Sequence, residues 1–379
     1  MASNKVCSIA FRRALQEKLG YTVDDIEKLR KEYFDTVREV QAQYNKYKAS
    51  DAYDEAVKQM MDIRRIRNIQ KRRQAYKNLE KRLMIEQYII QNYPNDYATG
   101  VDRFMQLVGY SKEAKASSYF ADFQRRLLGR DGFGEDYSAQ LASGKYDKMI
   151  YQELYYMDNP EAVERDKNLQ HPDGSFTGDP IAYRLADIIY KVQRVAVQDA
   201  IDAGADIALI PGYMTKQTHS QDKFLHKKFG KNEVEKRETW KRSIMQWLDT
   251  EKTFGDLPAD MTPDKVLNAI WDNITKGRHM AYIPEEISFI PGKNITKRAA
   301  AERKLFFKNG EAAYEYNRMY GSDNLRETVL FQLENMANTT VLLNYMGSNP
   351  RYNFETVFRE LNRRAREENN VKNLEYLKK

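Results

Sequence analysis

LFFKNGEAAYEYNRMYGSDNLRETVLFQLENMANTTVLLNYMGSNP, from Leu305 to Pro350, decides the fold class of this 379-residue chain. Its apolar residues recur at helical spacing, and Gly321 and Gly347 punctuate it. Gly321 with Asn324 reads as a helix end and restart. Gly347, Ser348, Asn349 and Pro350 read as a stop that turns the chain into a helix from Phe354 to Arg366. Every polar group in the stretch is a common surface or capping residue, so it is built for packing and not for chemistry.

Working outward, the same pattern recurs. Ile181, Leu185, Ile188, Ile189, Val192, Val195, Ala196 and Ala200 form the apolar stripe of a helix closing at Gly204. Trp240, Ile244, Trp247 and Leu248 give another helix an aromatic face. Thr262 and Pro263 start a helix from Asp264 to Thr275 with Trp271 inward. Ile283 to Ile290 is bracketed by Pro284 and Pro291 and reads as an extended connector.

The first 90 residues read as almost wholly helical. Thr22 and Asp25 make a capping-box-like start to a run from Val23 to Tyr47. From Ser50 or Asp51 a second helix continues past Ile90 with no proline or glycine, about 40 residues or about 60 Å long. Asn92 to Pro94 ends it. Val101 to Leu107 reads as a short apolar segment and Ala114 to Leu128 as a further helix. GRDGFGED and LQHPDGSFTGDP read as surface loops. The expected fold is mainly α: an elongated multi-helix protein with long N-terminal helices and a C-terminal helical domain. Its expected divisions are a long-helix region at 1–91, a broken helix-and-loop region at 92–180 and a helical core domain at 181–379.

Composition narrows the function classes. Mean hydropathy is −0.78 and no apolar run approaches the length of a membrane-spanning helix. The N-terminal apolar patch is too short for a secretory signal. One cysteine, Cys7, excludes an internal disulfide and a thiolate metal cage, and fits a protein made in a reducing cytosol. Between Met61 and Arg82, nine basic residues face two acidic ones, a local balance of +7 equal to the net charge of the whole chain. Arg64, Arg65, Arg67, Lys71, Arg72, Arg73 and Lys77 are the candidate nucleic-acid contacts, since such a cluster neutralises phosphates. The competing reading is a solvated helix face opposite Met61, Ile63, Ile66, Ile69, Tyr76, Leu79 and Leu83.

Catalytic patterns are sparse. The four histidines are His171, His219, His226 and His279. On one continuous helix His219, Asp222 and His226 would share a face, but a seven-residue spacing separates the two histidines by about 10 Å, too far to bind one ion together. His219 is expected to bond backbone at a helix start, with Asp222 fixing its tautomer. No G-x-S-x-G and no Cys-His pair is legible. Neither Gly-rich loop has the pattern of a phosphate cradle or a calcium loop. The sequence thus points to no cofactor, no metal and no catalysis.

Four phrases in order carry a resemblance. They are Asp202-Ala203-Gly204-Ala205 at a helix end, IPGYMTKQTHSQDK from Ile210 to Lys223, a Trp-containing helix followed by LDTEKTF, and the opening stretch through RYNF. Together, over roughly residues 181–360, they resemble internal virion proteins of tailed bacteriophages, which are stored in the capsid and ejected with the genome. No lytic transglycosylase or peptidase motif accompanies them. The resemblance implies an all-α protein of the virion interior, made in the host cytoplasm, that takes part in genome ejection and helps to build a conduit across the host envelope. It implies as partners other copies of the chain, the portal or other internal virion proteins, packaged DNA and, after ejection, the host envelope membrane or periplasm. Arg64 to Arg82 would then face DNA, and Tyr213, His219, Asp222, Trp240, Trp247, Tyr314 and Tyr320 would serve subunit contacts. The alternatives are a cytosolic helical nucleic-acid-binding protein using the face 64–82, and an enzyme with a site split among loops 129–136, 170–180 and 211–223.

Overall fold

The computed structural model describes residues 31, 35, 38, 60–66, 69–130, 135–205, 219–255, 262–276, 305–321 and 324–377. These residues are helical throughout apart from turns, loops and one isolated bridge between Leu248 and Phe307. The long helices are α1 (Ile69–Asn92), α2 (Tyr97–Leu127), α6 (Pro180–Asp202), α8 (Glu233–Met245), α10 (Pro263–Lys276), α12 (Leu325–Met346) and α13 (Pro350–Glu367). Shorter ones are α3 (Ser138–Ala142), α4 (Asp147–Met157), α5 (Pro160–Arg165), α7 (Gln221–Phe224), α9 (Thr250–Phe254), α11 (Gly310–Tyr320) and α14 (Val371–Leu377). The chain divides into two units, residues 1–106 with 344–379 and residues 107–343. The divisions expected at 91 and 180 do not coincide with these, because α13 returns from the far end of the sequence to pack on α1.

Local rules explain most helix ends. Asp179 caps α6 by accepting from Ile181 N and Ala182 N, both at 2.9 Å, and Pro180 fills the first position where no N–H is needed. Asn309 caps α11 through Ala312 N, and Asn349 caps α13 through Tyr352 N. Gly347 adopts φ +75°, so the expected stop is present, but α13 starts at Pro350, four residues before Phe354. Asn324 restarts the chain after Gly321 by accepting from Glu327 N.

Two expectations are corrected. The helix expected to run unbroken to Ile90 is interrupted at Ile66, whose carbonyl accepts from Arg72 Nε at 2.8 Å; residues 1–30 and 39–59 lie outside the described residues. The guanidinium occupies an acceptor that a continuing helix would use. Conversely, the segments expected at Val101–Leu107 and Ala114–Leu128 are one 31-residue helix, α2. Gly109 costs such a helix about 1 kcal/mol relative to alanine, and burial of Phe104, Val108, Tyr119 and Phe123 along it more than offsets that.

In the 107–343 unit α6 supplies the centre of one core, with Leu185, Ile188, Ile189 and Val192 buried against α4 and α12. A second core gathers Phe224, Trp240, Leu267, Trp271, Tyr316 and Tyr320. In the other unit, Asn78 on α1 is buried beside the turn that starts α13. Its Oδ1 accepts from Ser348 N at 2.8 Å and Asn353 Nδ2 at 3.2 Å, and its Nδ2 donates to Ser348 Oγ at 2.7 Å. Asn78→Ala orphans these buried groups and is expected to cost about 2–4 kcal/mol, read as a fall in the urea midpoint for this unit. An unchanged midpoint would mean that the Asn78 network is not holding the turn.

Candidate functional site

Two of the four phrases that carry the resemblance meet in the 107–343 unit, one of them through its described residues 219–223. Ser220, just before α7, donates its backbone N–H to Tyr320 O at 2.8 Å. His219 Nδ1 lies 3.1 Å from the Tyr316 hydroxyl, and its ring meets Phe224 and Tyr316 edge-on. Lys223 Nζ donates to Arg318 O at 3.1 Å. Segment 219–223 is thereby fastened along one side of α11.

Beneath this junction the aromatic core is continuous. Phe224 touches Trp240, Trp271 and Tyr320 with centroids 5.1–5.7 Å apart, distances at which tilted rings attract. The Tyr320 hydroxyl is 2.6 Å from Ser243 Oγ. Burial pushes the Tyr320 and Tyr316 phenols up, so both stay protonated. Lys241 of α8, itself buried, reaches Asp264 of α10 at 2.7 Å and Glu238 at 2.9 Å. Desolvation acts to lower its pKa, but the two carboxylates outweigh it and the net shift is upward, while the same contact lowers that of Asp264.

The expected His219–Asp222 pair is corrected here. Nδ1 faces Tyr316 and not a backbone group, and α7 is only four residues long, so His226 lies beyond its end and shares no helical face with His219. Desolvation shifts the His219 ring toward its neutral form, although water reaching the exposed part of the residue limits that shift. Among the described residues no group of three His, Cys, Asp or Glu is arranged to hold a metal ion. No helix there is long and apolar enough to cross a membrane.

The remaining candidates separate by burial. Trp240 and Tyr320 are fully buried and belong to the core, so neither offers surface to a partner. Trp247 and Tyr314 are half-buried, His219 and Asp222 are exposed, and Tyr213 lies outside the described residues. On the basic run Arg64 and Arg65 are exposed, the latter paired with Asp62 at 3.1 Å. Arg72 and Lys77 are half-buried and Arg82 is buried. Arg67 lies outside the described residues, as do the side chains of Lys71 and Arg73. The described cations thus do not share one solvated face, because α1 turns part of the run toward its own packing partners.

Sequence reasoning missed the buried carboxylates. Glu153 on α4 accepts from Phe176 N, Thr177 N and Thr177 Oγ1 at 2.6–3.0 Å, organising loop 170–179. Glu86 on α1 is buried against α13. The available signal was position: Glu153 falls in the stripe Ile150, Leu154, Met157, and Glu86 in the stripe Leu79, Leu83, Ile89.

No protein-family model, curated protein or solved structure matches this chain.

Proposed function

We propose that this protein is an internal virion protein of a tailed bacteriophage, stored near the portal and acting in genome ejection by assembly and not by catalysis. The observation that carries the reading is the meeting of two of its four resembling phrases: His219 and Ser220 from Ile210–Lys223 join Tyr316 and Tyr320 from Leu305–Pro350 within one unit. Two stretches that carry the resemblance and lie far apart in sequence thus pack together, as expected if the resemblance reflects a shared module. The composition is compatible with passage through a narrow tail. A helical chain with a single cysteine has no internal cross-link that must be threaded or reduced.

In this reading His219, Asp222, Trp247 and Tyr314, exposed or half-buried, are the contact candidates of the 107–343 unit that remain accessible to neighbouring subunits. Contact with packaged DNA narrows to the exposed Arg64 and Arg65 among the described cations of the basic run. Mass spectrometry of purified particles, before and after DNA release in vitro, tests the assignment. The chain is expected in full particles and is expected to leave with the genome. Its absence from purified particles sinks the reading. A cytosolic nucleic-acid-binding role makes the opposite forecast: soluble chain outside particles, with salt-sensitive DNA binding abolished by charge reversal at Arg64 and Arg65.

A further inference from the structure

From Lys223 to Lys231 the chain carries four lysines and no acidic residue. This stretch links α7 to α8, and its two aromatic side chains are anchors. Phe224 packs among Trp240, Trp271 and Tyr320, and the buried Phe229 lies 5.0 Å from the Tyr320 ring. Between the anchors the backbone closes a 3-10 turn at Lys227–Phe229, where Phe229 N donates to His226 O at 3.1 Å and Lys228 N to His226 Nδ1 at 3.2 Å. Gly230 then approaches the first turn of α8 so closely that a Cβ there would lie 2.7 Å from Lys236 N. The turn is held at both ends, so its lysines stand on a fixed backbone.

Lys223 is half-buried and donates to Arg318 O, but Lys227, Lys228 and Lys231 are exposed. None of these three pairs with a carboxylate among the described residues, and Lys228 Nζ stands 4.8 Å over the Phe229 ring. By contrast Arg125 and Arg126 are neutralised by Asp122, Lys191 by Asp187, Arg318 by Glu315 and Lys241 by Asp264. The acidic residues nearest in sequence are Asp222 before the turn and Glu233 and Glu235 after it. Glu235 accepts from Lys231 N at 2.7 Å and Asn232 Nδ2 at 3.1 Å, so its carboxylate is held by amide groups and not by an ammonium.

We propose that the turn 226–231 is a sequence-independent contact for the phosphates of duplex DNA, made by the ammonium groups of Lys227, Lys228 and Lys231. Three unpaired cations within five residues suit a partner whose negative charge repeats regularly. Neutralising those phosphates releases condensed counterions, and no contact with base edges is required. A single strand, a bilayer or a protein partner would each use exposed aromatic or apolar side chains beside the charge. The turn has both of its aromatic rings, Phe224 and Phe229, in the core instead. This surface belongs to the 107–343 unit and is separate in sequence from Arg64 and Arg65, and the inference does not rest on the virion assignment.

Fluorescence anisotropy of the full chain with a labelled mixed-sequence duplex of about 20 base pairs, between about 50 and about 200 mM salt, tests this. The triple variant Lys227→Gln, Lys228→Gln, Lys231→Gln is expected to bind at least about tenfold more weakly at the lowest salt. Its slope of log affinity against log salt is expected to flatten by up to about 2.7, the value for three phosphate contacts. Arginine at the same three positions keeps the charge and is expected to keep the slope. A control triple with the same loss of charge, Lys145→Gln, Lys148→Gln, Lys167→Gln, alters exposed lysines of which two already pair with Glu311 and Glu164, and is expected to change the slope little. The proposal is overturned by an unchanged slope in the folded glutamine triple, by an equal loss in the control, or by an arginine triple that loses the slope. Wild-type chain that ignores the duplex at low salt also overturns it, whether or not that chain binds anionic vesicles or polyglutamate. Particles that lack the chain bear on the virion reading alone.

Discussion

Gly310→Val is expected to be among the most destabilising single substitutions in the chain. Gly310 is buried where α11 starts, and a Cβ there would lie 2.4 Å from Gln152 Cα, 2.5 Å from Tyr151 O and 2.7 Å from Gln152 N. All three are backbone atoms of α4, so no side-chain rotation relieves the clash. The helices must part, and with them the edge-to-face contact of Tyr151 with Tyr314 and the bond from the Tyr155 hydroxyl to Lys308 O. Overpacking of a tight core typically costs 1–3 kcal/mol, and a backbone clash with a branched residue is expected at or above about 3 kcal/mol. That is a large fraction of the stability of an ordinary domain. Urea unfolding monitored by tryptophan fluorescence reads it, and Gly310→Ala should fall between valine and wild type. A wild-type midpoint for the valine variant would show that α11 does not approach α4 this closely.

Glu153→Leu removes a buried anion and leaves its partners behind. Glu153 is 1% exposed and serves three donors at once: Phe176 N, Thr177 N and Thr177 Oγ1. Leucine fills a similar volume but accepts nothing, so two backbone N–H groups and a hydroxyl lose their partner. An unsatisfied buried donor costs about 1–3 kcal/mol, and a bond to a charged acceptor stands at the upper end of the range. The total is expected near 3–5 kcal/mol unless the loop opens to water. If it opens, Phe176 leaves its stack on Tyr156, now at a centroid distance of 3.6 Å. Limited proteolysis should then cut within 170–179 well before the wild-type chain is touched. Glu153→Gln keeps one acceptor oxygen and should lie between. Equal protease resistance for all three proteins would show that the carboxylate does not organise this loop.

Much of the helical architecture was legible because helix formation follows local spacing. The stripe from Ile181 to Ala200, apart from the exposed Val195, the proline start at Pro263 and the stop at Gly347 are each written in a few neighbouring residues, and each appears in the structure. The break at Ile66 was illegible because it depends on one guanidinium, that of Arg72, reaching back to a carbonyl. The two segments expected between Val101 and Leu128 form one helix because burial on their shared face outweighs the weak propensity of Gly109.

The candidate site was less legible. His219 and Asp222 were paired by spacing, yet a helix of four residues and the approach of Tyr316, 97 positions away, set the histidine's partner. Trp240 and Tyr320 are aromatic in a way that serves a core or an interface equally, and only packing against Phe224 and Trp271 assigns them to the core.

The sequence by itself determined a mainly helical chain with one cysteine, and where several of its helices begin or end, since those features rest on contacts within a turn or two of the chain. Tertiary structure alone decided that residues 344–379 join the N-terminal unit, that the basic run is divided between surface and interior, and that Glu86 and Glu153 are buried. Those outcomes depend on which distant helix covers a given face, and the spacing of residues along one helix carries no information about that.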